Sequence, residues 1–195
     1  MAGTVFVSGG SGYIAGFLIR QLVAQGWIVH TTIRDLAREA AVRQLLAVDN
    51  VRLKFFAADL MHDAGWADAM AGCSHAAHVA SPVPVRAVKD ADELIAPARD
   101  GALRALRAAK AAGVRRFVMT SSVAAIIYGR GRGVHHFSEA DWTPGDYPGI
   151  APYTLSKTLA ERAARDWVAR EGAGIEFCSI NPSVVLGPVW QIPGG

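Results

Sequence analysis

The sequence predicts an α/β protein, with a mostly parallel, doubly wound sheet covered by helices on both faces. Short runs rich in β-branched and aromatic residues recur along the chain, and longer segments with apolar residues at three- and four-residue spacing lie between them. The alternation of the two persists from residue 4 to residue 180, which is the pattern of parallel strands joined by helical, right-handed crossovers.

The strand runs fall at 4–7, 27–33, 51–57, 75–80, 116–120 and 175–180. They are nearly continuous in apolar character, as expected of strands buried on both faces. The helical segments fall at 14–24, 36–47, 64–71, 92–112 and 152–170, each with an apolar stripe. Gly26 and Gly113 each close a helical pattern just before a strand, where a left-handed cap suits glycine. The longest stretch without periodicity, 129–151, is rich in Gly and Pro; a loop of that length in a compact domain is more often functional than accidental.

Composition supports one domain with a substantial core. The 195 residues are 51% hydrophobic and 19% charged, against usual shares of about 45–50% and 25%, which excludes a disordered chain. Twenty Lys and Arg against 17 Asp and Glu give a net charge of +3. That surplus is small and scattered, so neither a nucleic-acid nor a membrane partner is expected. The two cysteines, Cys73 and Cys178, form no CxxC pair, so a reducing cytoplasm is the expected setting. No signal-peptide pattern opens the chain, and no stretch approaches the ~18 apolar residues of a membrane span. No metal site is expected: His75 and His78, three apart on a strand, point to opposite faces, and His135-His136 lacks a convincing carboxylate partner. Glu139, Asp141 and Trp142 suit anchoring of the long loop. Arg104 and Arg107 read first as a solvated helix stripe.

The first strand runs straight into Gly9-Gly10-Ser11-Gly12-Tyr13-Ile14-Ala15-Gly16, which opens a helix. Glycine is needed where such a turn goes left-handed and where backbone must approach a pyrophosphate. The helix start adds unpaired N–H groups and the positive end of its dipole. Gly9, Gly12 and Ala15 stand at dinucleotide-binding spacing. The end of the second strand then selects the dinucleotide. A carboxylate there accepts the ribose hydroxyls of NAD, whereas arginine attracts a 2′-phosphate. This chain has Arg34, with Arg38 one turn on, so NADP(H) is favoured over NAD(H); the bland alternative is a solvated strand-end charge. Asp59, after the third strand, suits either an adenine amine or a helix N-cap.

Tyr153 and Lys157 lie four apart on one face of a helix that begins at Pro152. A phenol titrates near 10, too high for acid–base work at neutrality, and a neighbouring ammonium draws it down. Lys157 would also hold the nicotinamide ribose. Thr120-Ser121-Ser122 falls at the carboxyl end of the fifth strand, where ligands bind in open parallel sheets. A hydroxyl there can orient a carbonyl oxygen. Ser122 is preferred over Ser121, though consecutive serines also serve as turns and caps.

These segments, with His78-Val79-Ala80-Ser81-Pro82 and Asn181-Pro182-Ser183-Val184-Val185-Leu186-Gly187-Pro188, together resemble the extended short-chain dehydrogenases/reductases, which have the Rossmann fold. Within that family the chain is most similar to the dihydroflavonol-reductase-like aldehyde and ketone reductases. The resemblance implies NADPH-dependent reduction of a small aldehyde or ketone, with Ser122 orienting the carbonyl, Tyr153 donating the proton and Lys157 tuning Tyr153. It implies a cofactor site of Gly9, Ser11, Gly12, Tyr13, Ile14, Arg34, Asp59, Leu60, Ala80, Ser81, Tyr153, Lys157, Pro182, Ser183 and Val185. The 80–84 loop would pass the nicotinamide ribose and 182–185 would lie near the amide. A homodimer through the helices at 92–112 and 152–170 is also implied. The stretch that precedes the tyrosine in cinnamoyl-CoA reductases is absent, so no CoA-ester substrate is expected. Residues 1–180 are expected to form the NADP(H)-binding domain and 181–195 the start of a truncated carboxyl-terminal substrate region. Two other readings share these residues: a nucleotide-sugar epimerase or dehydratase that keeps NAD bound, and a dinucleotide-binding sensor without turnover.

Overall fold

The structure, a computed structural model, describes residues 3–83, 88 and 90–188. Six strands form one sheet in the order β3-β2-β1-β4-β5-β6. They are β1 (Thr4–Val7), β2 (Ile28–Ile33), β3 (Leu53–Ala57), β4 (His75–His78), β5 (Arg116–Thr120) and β6 (Glu176–Ile180), and every pairing is parallel. Five α-helices connect or flank them: α1 (Tyr13–Ala24), α2 (Glu39–Leu46), α3 (Trp66–Met70), α4 (Asp92–Ala111) and α5 (Pro152–Glu171).

Strand alternation sorts the core into two layers. Val5 and Val7 of β1 pack with Ala15, Ile19 and Val23 of α1 and Val42 and Leu46 of α2. Phe6, between them, points the other way and packs with Trp66 of α3, Leu106 of α4 and Trp167 of α5. The expected burial on both faces holds for β1 and β2; β4 and β5 alternate buried and half-exposed residues, and the sheet edges β3 and β6 carry several half-exposed ones. On the second face α4 and α5 lie against each other. Ala102, Ala105 and Ala109 of α4 and Ala164 of α5 are fully buried there, so small side chains let the helices approach closely.

Element ends depart from the sequence expectation where a polar group captures the backbone first. The Trp27 N–H donates to Leu22 O and finishes α1, so β2 begins one residue later than expected. The Asp49 carboxylate takes the Val51 N–H, making a 3-10 turn at Asn50–Arg52 that leaves Val51 84% exposed and delays β3 to Leu53. The Asp35 carboxylate takes the Ala37 N–H, so the expected helix at 36–47 opens as a 3-10 turn at Leu36–Arg38 before α2. Left-handed Gly65, at φ +83°, trims the expected helix at 64–71 to Trp66–Met70. The glycines expected as left-handed caps, Gly26 and Gly113, have φ of +86° and +73°.

The long loop is held by designated groups. Thr143 Oγ donates to Ala124 O at 2.8 Å and accepts the Tyr128 N–H at 3.0 Å. Asp141 accepts from the backbone and hydroxyl of Ser138, and the Trp142 ring lies under the Arg162 guanidinium at 5.0 Å. Arg104, expected as a solvated stripe, instead binds Asp63 at 2.5 Å and Leu60 O at 2.8 Å, bracing the segment after β3.

The alanine contact between α4 and α5 leaves no room for growth. Ala105→Leu should lower stability by about 1–3 kcal/mol, read as a reduced midpoint in urea unfolding with an unchanged slope.

Candidate active site

All six strands end on the same rim, and the strand order reverses between β1 and β4, the place where ligands bind in open parallel sheets. Here Ser8 carries the geometry. Its Oγ accepts the Val79 and Ala80 N–H groups, both at 2.9 Å, so its own proton is left for Nδ1 of His78 at 3.1 Å. That fixes His78 as the tautomer protonated at Nε2. The two bonds also explain why β4 stops at His78, short of the expected Ala80.

Gly9 follows Ser8 at φ +74°, and a Cβ there would lie 3.0 Å from Cβ of Ala80. The Gly9 N–H donates to Thr32 Oγ at 3.1 Å and the Gly10 N–H to Thr32 O at 2.8 Å, so β2 holds the turn in place. A side chain at Gly10 would run into Thr31. At Gly12 no side chain caps α1, leaving the positive end of a twelve-residue helix facing the rim. Ala15, at the third position of the spacing, is buried against the sheet.

A cleft of about 980 Å³ opens on this turn. Of the residues expected to bind cofactor, Gly9, Ser11, Gly12, Tyr13, Ile14, Arg34, Asp59, Leu60, Ala80 and Ser81 line it. Arg38, Met61, Trp66 and Pro97 line it as well. Arg34 and Arg38 are exposed on one side, and neither has an ion-pair partner among the described residues. The carboxylate of Asp35, between them in sequence, is committed to the Ala37 N–H. Asp59 caps its own turn through the Met61 N–H at 2.7 Å, while its carbonyl accepts from Trp66 Nε1. Uncapped helix N–H groups, close-approach glycines and two guanidinium groups fit an extended, multiply phosphorylated nucleotide.

Ser122, Tyr153, Lys157, Pro182, Ser183 and Val185 do not line that cleft. Tyr153 and Lys157 stand together on α5, and Ser122 follows β5. Ser122 Oγ caps a 3-10 turn at Val123–Ala125 through the Ala124 N–H, 3.1 Å away, and that turn packs against α5. Lys157 is 4% exposed, with Nζ 5.7 Å from the centre of the Tyr153 ring. Burial pushes the Lys157 ammonium down to about 8, opposed by the negative charge of Glu161. His78, fully enclosed, is lowered to about 3, by burial first and by the Lys157 charge second, so it is neutral. Pro182 O accepts the Val123 N–H at 3.0 Å, and Tyr13 donates its hydroxyl to Pro188 O at 3.0 Å. The segment that includes exposed Ser183 and Val185 therefore spans from the Ser122 turn to the start of α1. Position 84 of the expected ribose loop and positions 189–195 lie outside the described residues.

Among the residues that shape this rim, Ser8, Thr32, Asn181 and Glu161 were given no role from the sequence. Ser8 and Thr32 are ordinary strand residues in sequence, and nothing local distinguishes them. Asn181 and Glu161 had a usable signal: one ends the strand beside the serines, and the other stands four residues beyond Lys157 on the same helix face.

With the fold and rim in place, the class is settled by comparison: residues 5–194 match the NAD dependent epimerase/dehydratase family, and the chain belongs to it. Within the family it is 35% identical over 193 residues to a dihydroflavonol 4-reductase of Gerbera hybrida, covering 95% of this chain and 52% of that protein. It is 37% identical over 199 residues to cinnamoyl-CoA reductase CAD2 of Medicago truncatula, covering 98% and 60%. The chain thus spans about half the length of the curated relatives it matches. Among solved structures, yeast methylglyoxal/isovaleraldehyde reductase Gre2 complexed with NADPH superposes with a TM-score of 0.85 at 26% identity, covering 95% of this chain and 59% of that one. Vestitone reductase from alfalfa gives 0.73 at 32% identity, covering 90% and 55%. Among the described residues no helix is long and apolar enough to cross a membrane, and no cluster of His, Cys, Asp and Glu could hold a metal.

The neutral state of His78 has a consequence for stability. Its folded-state value, about 3, lies below the ordinary 6.5, so the unfolded chain binds the extra proton between these values and stability falls as pH drops through that window. The contribution is up to about 5 kcal/mol. His78→Gln should flatten the acid limb of Tm against pH between about 6.5 and 3, even if it lowers Tm at neutrality.

Proposed function

We propose that this chain carries the cofactor cleft and acid–base group of an NADPH-dependent reductase that converts a small aldehyde or ketone to an alcohol. The observation that carries the reading is a buried Lys157 beside Tyr153, on the helix against which the turn capped by Ser122 packs. The reductases among the relatives and the NADPH complex among the structural neighbours support it.

The glycine turn and the start of α1 would hold the pyrophosphate, and Arg34 with Arg38 the 2′-phosphate. NADPH, when bound, supplies the hydride. Ser122 Oγ already accepts the Ala124 N–H, so its remaining proton is available to a carbonyl oxygen. Ser121 Oγ is buried and lies toward Glu161 instead, which supports Ser122 as the orienting residue. Tyr153 donates its phenolic proton to the same oxygen as the carbonyl carbon is reduced, and the Lys157 ammonium stabilises the phenolate that remains. The 182–185 segment would border the nicotinamide, and a cytoplasmic setting suits a reductase that draws on NADPH. A second copy docking on α4 and α5 would meet their outward charges, among them Arg107, Lys110, Arg162 and Asp166.

Tyr153→Phe should still bind NADPH while reducing aldehyde-dependent NADPH oxidation by about 10²–10⁴-fold; unaltered turnover would refute the assignment. A protein that copurifies with NAD and consumes no NADPH over a panel of aldehydes and ketones would favour an epimerase instead.

Arg34→Ala should weaken NADPH binding by about ten- to hundredfold, as loss of a charge-assisted hydrogen bond does, and leave NADH binding unaffected. Fluorescence titration of both cofactors reads the difference directly.

A further inference from the structure

Tyr153, Lys157, Glu161 and Arg165 follow one another at four-residue intervals along α5, forming a single column. The proposed reaction uses the first two and leaves Glu161 without a task. Glu161 is nevertheless 3% exposed, and a carboxylate taken out of water is unfavourable unless donors surround it. They do. Its Oε1 accepts Ser179 Oγ at 2.6 Å and Arg165 Nε at 3.0 Å, and its Oε2 accepts Asn181 Nδ2 at 2.8 Å. A second nitrogen of Arg165 donates to Ser179 Oγ at 2.7 Å, which leaves that hydroxyl's proton for the carboxylate. The Arg165 guanidinium is itself placed by two rings, Trp142 and Phe177, each 5.8 Å away. Burial alone would raise the Glu161 carboxyl, but the hydrogen bonds from Ser179, Asn181 and Arg165, with the Ser121 hydroxyl nearby, outweigh it and hold the group below the usual carboxylate range.

A permanent negative charge therefore sits one helical turn beyond Lys157. Of the other groups near the ammonium, His78 of β4 is neutral, and the Tyr153 ring of α5 lies 5.7 Å from Nζ. Asn181 adds a mechanical link, because the two protons of its Nδ2 go to Glu161 Oε2 and to Ser122 O, the latter at 3.1 Å.

We propose that Glu161 is a positioning residue: paired directly with Arg165, its charge also favours the protonated form of Lys157 from one helical turn away, and it is tied through Asn181 to the backbone of Ser122. Its effect on turnover rests on the reductase reading; its effect on Lys157 does not. Without the carboxylate, burial acts on the ammonium unopposed, and the lysine loses its proton at lower pH.

The test is competitive labelling of the whole chain with acetic anhydride across pH, read by mass spectrometry, with Lys54 and Lys110 as internal references. In Glu161→Gln the Lys157 titration should move down by about one unit, which raises its labelling at pH 7 about fivefold relative to Lys110. Glu161→Asp, which keeps the charge but retracts it, should move it less, and serves if the glutamine variant does not fold. Superimposable Lys157 curves for wild type and a folded variant would overturn the proposal. The alkaline limb of the NADPH-oxidation profile should shift in the same direction in Glu161→Gln; wild-type protein without any turnover would count against the reductase reading and leave the labelling result standing.

Discussion

Six strands that run the same way must deliver all their carboxyl ends to one rim, and everything chemical in this molecule depends on that constraint. The chain can return to begin each new strand only by crossing a face of the sheet, so the helices become the walls and the rim stays open. Gly9 after β1, Arg34 after β2, Asp59 after β3, Ala80 after β4, Ser122 after β5 and Asn181 after β6 are neighbours for this reason. None of them is near the next in sequence. The reversal of strand order between β1 and β4 then opens the rim at its middle, where the Gly9 turn and Ala80 come into contact.

Within the rim, the electrostatics divide into two regions governed by solvent. Toward β2 the guanidinium groups of Arg34 and Arg38 stand in water, where a charge is tolerated and can exchange its hydration for a phosphate. Toward β5 and β6 the side chains of His78, Lys157 and Glu161 are buried, and each must be neutral or surrounded by donors and counter-charges. His78 takes the first course, held by Ser8 in one tautomer. Glu161 takes the second, with hydrogen-bond donors from its own helix and from the end of β6. Lys157 lies between the two, lowered toward the range in which its charge can respond to its surroundings.

Several features were legible in the sequence because they rest on local chemistry. The glycine spacing, the start of α5 at Pro152, the left-handed caps at Gly26 and Gly113 and the order of strands and helices all follow from backbone preference and periodicity, which a few consecutive residues express. Element ends were less legible. Asp35, Asp49 and Ser8 each divert a backbone N–H that the periodic pattern assigns to a helix or strand, and whether a side chain wins that competition depends on what else surrounds it.

The sequence by itself determined the fold class, the glycine turn after β1 and the tyrosine–lysine spacing, because each is carried by residues close together in the chain. Tertiary structure alone decided that Ser8 latches His78, that Thr32 pins the Gly9 turn, that Arg104 braces the cleft wall, and that Asn181 joins Ser122 to Glu161. Those contacts join residues between 20 and 70 positions apart. Their partners are chosen by the pairing and packing of whole strands and helices, and no short stretch of sequence contains that information.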